Sequence, residues 1–235
     1  MNIVAHLKTA ETEKISHIDY FNIAISVDCV IFGYDEKKLK VLLIKSDLKE
    51  FTGMYSLLGD LIRIDENIDA ASYRILKERT GLDDVYLKQV QAFGSISRHP
   101  SGRVVTITYY SLININHHKL RLTNNDLHWH NVDDITELAF DHKTILDVCL
   151  KKLRQQSQEI PIVCNLLPEK FSLRELQGLY HAILGTQLDR RNFRKKIHLK
   201  EWLVDTAEME IDVPHRPGKL YKVKPEFHRK KLTLK

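Results

Sequence analysis

Disulfides are the first thing this sequence does without: its three cysteines, Cys29, Cys149 and Cys164, are odd in number and far apart. No metal-ligand spacing links them, so they read as reduced thiols of a cytosolic protein. Long hydrophobic runs are missing as well. No apolar stretch approaches the ~18–20 residues that span a bilayer. The opening residues, MNIVAHLKTAETEKISH, hold neither an apolar core nor a small-residue cleavage site of the secretory kind. The expectation is a cytoplasmic protein without a membrane segment. No internal repeat or low-complexity tract is present, which excludes solenoid arrays and biased linkers.

What is there belongs to the soluble globular class: 235 residues, 43% hydrophobic and 29% charged, enough for one or two domains. The net charge of +5 is modest but unevenly placed. Residues 161–235 carry 16 Lys and Arg against 9 Asp and Glu, while residues 1–160 carry 20 against 22. A near-neutral body with a basic second part fits either a polyanion partner or a solvated lysine-rich surface.

The hydrophobic pattern divides the chain in the same place. FNIAISVDCVIFG (21–33) reads as a buried strand, YDEKK as a turn and LKVLLIKS (39–46) as the returning strand. Residues 54–62 are short and strand-like. Asn67 is expected to open a helix that Gly81 closes, the first by side-chain capping and the second in the left-handed conformation. Two further strands follow at 85–96 and 103–115, separated by the RHPSG turn, then a strand at 127–135 and an amphipathic helix at 143–156. QSQEIPIVCNLLPEKF reads as a polar connector. Beyond it, SLRELQGLYHAIL (172–184) begins with a Ser172–Glu175 capping box, RRNFRKKIH (190–198) forms a second helix, and a hairpin follows Trp202. These elements predict an α+β protein: an N-terminal extension (1–20), an α/β/α sandwich (21–158) and a smaller helical domain with a hairpin (159–235).

Residues 59–82 resemble the signature of the Nudix superfamily, G-x5-E-x7-R-E-U-x-E-E-x-G-U with U aliphatic. Aligned on Gly81–Leu82, the motif's first glutamate falls at Glu66, its arginine at Arg74 and its aliphatic residue at Leu76, while its leading glycine falls at Asp60, just after Gly59. The resemblance implies that three glutamates on the helix should hold a divalent cation. Those positions are Ile75, Glu78 and Arg79. Hard cations need several converging oxygens, and an apolar residue, one carboxylate and an arginine do not supply them. No catalytic residue and no metal or other cofactor is therefore expected. Asp60, Asp65 and Glu66 could form a relocated metal site, but acids at a helix entrance more simply favour the helix dipole. Ile68, Ala71, Ile75 and Leu76 fall on one helical face and read as a buried stripe. Arg74 and Glu78 read as a surface ion pair. His128 and His130 share a strand face, and His117 and His118 lie in a loop. No third ligand of suitable spacing joins them.

The second domain is similar to a winged helix-turn-helix: two helices, a short glycine-containing turn, then a hairpin. Arg190, Arg191, Asn192, Arg194 and Lys195 are candidate recognition-helix contacts, with Phe193 and Ile197 anchoring the helix. Guanidinium groups read guanine edges and grip phosphates, and asparagine reads adenine. His215, Arg216 and Lys219 in PHRPGK are candidate wing contacts. Together with VDCVIFGYDEKKLKVLLIK and NLLPEKFSLRELQGLY, this order resembles the Nudix-related bacterial transcription regulators, above all the branch that controls sugar utilisation in response to arabinose. The resemblance implies a homodimer, expected to be a repressor, that binds a palindromic DNA operator with an affinity shifted by a small effector in the Nudix-derived pocket. A pentose is the expected effector. An ADP-ribose-type nucleotide acting on NAD metabolism is the alternative, and a working pyrophosphohydrolase a further one. Candidate effector contacts are Asp28, Lys45, Arg63, Arg98 and Arg103.

Overall fold

A computed structural model describes residues 23–82, 85–116, 127–159 and 161–227. His117 and His118 lie outside them. The long apolar run becomes β1 (Ala24–Asp35), and β2 (Lys38–Lys45) returns beside it. Glu36 and Lys37 between them both have positive φ, 48° and 62°, as a two-residue hairpin turn requires. β1 also pairs in parallel with β6 (Val104–Ile113), whose partner on its other side is β5 (Lys88–Phe93). β3 (Tyr55–Ser56), β4 (Leu58–Leu61) and β7 (Leu127–Asn131) complete a seven-stranded mixed sheet of main order β3-β2-β1-β6-β5, with β4 on β1 and β7 on β2.

Alternation along β1 sorts its side chains. Val27, Cys29 and Ile31 pack with Ala71, Ile75 and Leu76 of α1 (Ile68–Thr80), while Val30 and Phe32 pack with Ile145, Leu146 and Cys149 of α2 (His142–Glu159). The result is the expected α/β/α sandwich. α1 has the ends anticipated: Asn67 accepts a hydrogen bond from the Ala70 amide, and Gly81 closes the helix at φ 73°. Its stripe is shorter than expected. Ile68 remains 38% exposed, because it stands two turns nearer the helix entrance than Ile75 although the two share an angular position. β5 also stops early, at Phe93: the Arg103 Nη1 donates to the Gly94 and Ser95 carbonyls at 2.6 and 3.0 Å and draws that segment out of the sheet.

The segment expected to be a polar connector is instead part of the core. Pro161–Leu166 form a 3-10 helix in which all but Asn165 are buried. One apolar cluster runs through from Phe32 and Tyr110 of the sheet to Val163, Leu176, Leu179 and Phe193. The C-terminal part consists of β8 (Phe171–Ser172), α3 (Leu173–Leu184), α4 (Arg190–Leu199), β9 (Leu203–Met209) and β10 (Lys219–Val223), with a small sheet in the order β8-β10-β9. The Ser172–Glu175 capping box forms in both directions. Among the described residues no helix is long and apolar enough to cross a membrane.

Candidate functional site

The helix that should carry a metal site puts its three diagnostic positions in three different environments. Ile75 is 1% exposed in the core. Glu78 accepts from Arg63 Nη2 at 3.1 Å and from Arg74 Nη1 at 3.0 Å. Arg79 lines a cavity and lies 3.6 Å from Asp60. Arg74 is less a surface residue than its spacing suggests. Its guanidinium grips both oxygens of Glu66, at 2.6 and 2.8 Å, and donates to the Leu61 carbonyl at 2.9 Å. That contact holds the Glu66 carboxyl down at about 2. Glu66 thus serves to tie the loop before α1 to the helix. Among the described residues no group of three metal-ligating side chains occurs.

The cavity, of about 320 Å³, opens beside Arg79 and the start of α2. Its floor is a buried charge cluster. Arg98, whose side chain is 2% exposed, donates to Asp141 through Nε at 3.0 Å and Nη2 at 2.8 Å, and to Asp28 at 3.3 Å. Gly59 is what lets Asp28 stand there. β4 pairs Gly59 opposite Asp28, and a Cβ at Gly59 would lie 2.1 Å from Asp28 Oδ1. His142 completes the floor. Its Nδ1 accepts from the Leu57 amide at 2.9 Å, which leaves the proton on Nε2, 3.6 Å from Asp28 Oδ1. One wall is aromatic: Phe140, at a left-handed φ of 58°, stacks on His99 with centroids 5.1 Å apart and also meets Phe51. A non-glycine residue in that region is uncommon and concentrates at binding sites.

Of the five candidate effector contacts, the structure brings Asp28, Lys45 and Arg98 into this one cavity. Arg63 and Arg103 lie outside its lining: Arg63 is spent on Glu78, and Arg103 on the Gly94 and Ser95 carbonyls. Arg79, His99, Phe140 and His142 line it and were not among the candidates. The histidine pair at 128 and 130 faces Tyr55, with ring centroids 5.8 and 4.3 Å away, rather than the cavity.

Burial pushes the His142 pKa down. An unfolded histidine takes a proton near pH ~6.5, so between the folded value and that point the unfolded state binds more protons. Stability is then full above that point and is lost as pH falls toward the folded value. The melting temperature should therefore drop between pH 7.5 and 5.5, and the drop should shrink in His142→Asn, whose amide oxygen can still accept from Leu57. Thermal denaturation of both proteins at the two pH values checks this.

A second concentration of charge lies in the C-terminal part. Phe193 and Ile197 are 6% and 4% exposed and seat α4 on α3. This leaves Arg190, Arg191, Asn192 and Lys195 exposed, with Arg194 half-buried. Arg190 and Arg194, one turn apart, face a groove of about 580 Å³ shared with His198, Arg174 of α3 and Arg216 and Lys219 of the hairpin. Glu210 is the one acid in the lining among the described residues and accepts from the Gly218 amide at 2.7 Å, holding the hairpin loop closed. His215 Nδ1 stands 4.0 Å from the same carboxylate. Lys219 makes an exposed ion pair with Asp205 at 2.7 Å, the kind that exchanges readily for another anion. Arg174 is an addition that the sequence did not suggest.

α2 joins the two sites. Its first turn carries His142 beside Asp141, and its last turns bond to the C-terminal helices. Arg154 Nε donates to the Ile183 carbonyl at 2.7 Å, Ser157 O accepts from the Tyr180 hydroxyl at 2.6 Å, and Gln158 O accepts from Lys200 at the end of α4.

Comparison with known proteins matches two domain models to the chain. Residues 23–149 match the NUDIX domain model, and residues 163–223 match the model of the NrtR DNA-binding winged helix domain. The chain is 30% identical over 209 residues, 87% of its length and 83% of the relative's, to an ADPR responsive transcriptional repressor of Acinetobacter baylyi. It superposes on Shewanella oneidensis NrtR complexed with a 27mer DNA with TM-score 0.76 and 29% identity, covering 86% of this chain and 94% of that one. The NUDIX domain of the same protein complexed with ADP ribose gives TM-score 0.52 and 26% identity over 65% of this chain and 99% of that one.

Proposed function

This chain belongs to the Nudix family and carries a DNA-binding winged helix domain of the NrtR type, and from that premise we propose that it is a transcriptional repressor whose Nudix cavity senses an ADP-ribose-type nucleotide. The observation that carries the proposal is the cavity itself. Lys45 and Arg79 present cations to it, the buried Arg98 being engaged by Asp28 and Asp141, and Phe140 with His99 gives it a flat aromatic wall. Cations suit phosphate and an aromatic wall suits a base, whereas a pentose offers only neutral hydroxyls. The relatives named for a small molecule also favour the nucleotide over the pentose expected from the sequence. Binding without turnover fits the loss of motif glutamates at Ile75 and Arg79.

In this account the protein acts as a dimer on a palindromic operator. Arg190, Arg191, Asn192, Arg194 and Lys195 enter the major groove, and His215, Arg216 and Lys219 hold the flanking backbone. The effector regulates only if it binds the DNA-competent and DNA-incompetent arrangements with different affinity. α2 supplies the connection: 18 residues make a rod of about 27 Å, footed in the cavity and bonded to α3 and α4 at its far end.

A thermal-shift screen tests the effector assignment, because a ligand that binds only the native state raises its stability. At a hundred times Kd the gain is about 2.7 kcal/mol, or roughly 5–10 °C for a chain of this size. ADP-ribose should give such a shift and arabinose none. A shift with arabinose alone would return the protein to the sugar-responsive branch.

A further inference from the structure

Arg79 is a loosely held cation in a site built to keep other cations tightly. Arg98 is buried and ion-paired with two carboxylates. Arg79 is 37% exposed, and its carboxylate contact, to Asp60, is a long 3.6 Å. It projects into the cavity from the last turn of α1, where the negative end of the helix dipole favours a cation and helps hold it in place. Lys45, the last residue of β2, lines the same cavity. The carboxylates of the lining are Asp28, Asp47 and Asp60. Asp28 faces Arg98 and Asp60 faces Arg79, so these two acids balance the protein's own cations, and among the described residues Asp47 joins no group of three that could hold a metal ion. Glu78 is turned away onto Arg63 and Arg74.

We propose that Arg79, with Lys45, binds a diphosphate group directly and makes recognition independent of any divalent cation. This inference rests on the cavity being the nucleotide site proposed above. A guanidinium presents two parallel N–H donors that match two oxygens of a phosphate, and the lysine ammonium adds a point charge. The approaching anion replaces Asp60 at Arg79, and the long contact given up there is a weak one. The arginine at a position where the motif has a glutamate thereby acquires a purpose: it holds in place of a metal the group that a metal would have held.

Titration calorimetry of the full chain with ADP-ribose, and separately with inorganic pyrophosphate, tests this in EDTA and again in magnesium. Both ligands should bind in EDTA with affinity that magnesium does not raise. Arg79→Gln should weaken each by roughly 10- to 100-fold, and Lys45→Gln by a smaller factor. Both positions are at the surface of the cavity, so the melting temperature of the free variants should stay near that of the native chain. ADP-ribose binding that requires magnesium would overturn the proposal while leaving the nucleotide reading intact. Pyrophosphate binding in EDTA that is lost in Arg79→Gln, without ADP-ribose binding, would support the anion site and reject the nucleotide. Heat from either ligand that persists unchanged in both variants belongs to other basic surfaces and overturns it.

Discussion

Replacing Arg190 and Arg194 together by alanine should lower affinity for a duplex of the native upstream region by about 100-fold, since each such contact is worth ~1–3 kcal/mol and two are lost from each chain. The two side chains line one groove with Arg174, His198, Arg216 and Lys219, so their loss removes the centre of that positive surface. Phe193 and Ile197, which seat the helix, are untouched, and Asp189 still caps it by accepting from the Asn192 amide at 2.8 Å. The folded protein should therefore keep its melting temperature. The slope of log affinity against log salt should also become shallower, by about one for each phosphate contact removed. Anisotropy titrations at several salt concentrations measure both quantities. Unchanged duplex affinity would move the DNA-binding surface away from α4.

Gly59→Ala should have the largest effect on the other site. The added methyl would sit 2.1 Å from Asp28 Oδ1 and 3.0 Å from the Val27 carbonyl. Asp28 has no free rotamer to retreat into: its side chain is 6% exposed and engaged by Arg98, with His142 behind it. Either β4 separates from β1 or the buried ion pair opens. An overpacked contact and a broken buried pair each cost on the order of 1–5 kcal/mol, so a fall in melting temperature of roughly 5–15 °C is expected. Effector binding should go with it. Gly94→Ala is the control, since the nearest atom to its added methyl is 3.5 Å away. Equal melting temperatures for the two variants would show that the close approach at Gly59 carries little energy.

Local signals in the sequence were legible and long-range partnerships were not. Asn67, Gly81 and the Ser172–Glu175 box each act within four residues, and each end forms as read. The alternation in β1 and the Phe193–Ile197 spacing likewise contain their own answer. Arg98 meets Asp141 across 43 residues and Asp28 across 70, a distance at which no periodicity speaks. Arg63 and Arg103 looked equivalent to Arg98 in sequence, yet each finds a local partner and stays out of the cavity. The segment after α2 reads as polar because glutamine, serine and glutamate dominate its first residues, while Pro161–Leu166 close the core between the two parts. Arg79 shows the converse. Its oddity was plain from the motif, but only the fold reveals that it faces the same space as Lys45 and Arg98.

The route through α2 gives the central claim a definite form. In the proposed reading a ligand resting on Arg98 or His142 would bear on the first turn of this helix, through Asp141 in the case of Arg98, and the bonds from Tyr180, Arg154 and Lys200 hold its last turns to the helices of the winged helix domain. Coupling of this kind is reciprocal. If ADP-ribose weakens operator binding by some factor, operator DNA must weaken ADP-ribose binding by the same factor. The most direct measurement is the Kd of the full-length protein for a labelled duplex of its upstream region, with and without saturating ADP-ribose. The account predicts a rise in Kd of about 10-fold or more. An unchanged Kd under conditions where ADP-ribose is bound would contradict it.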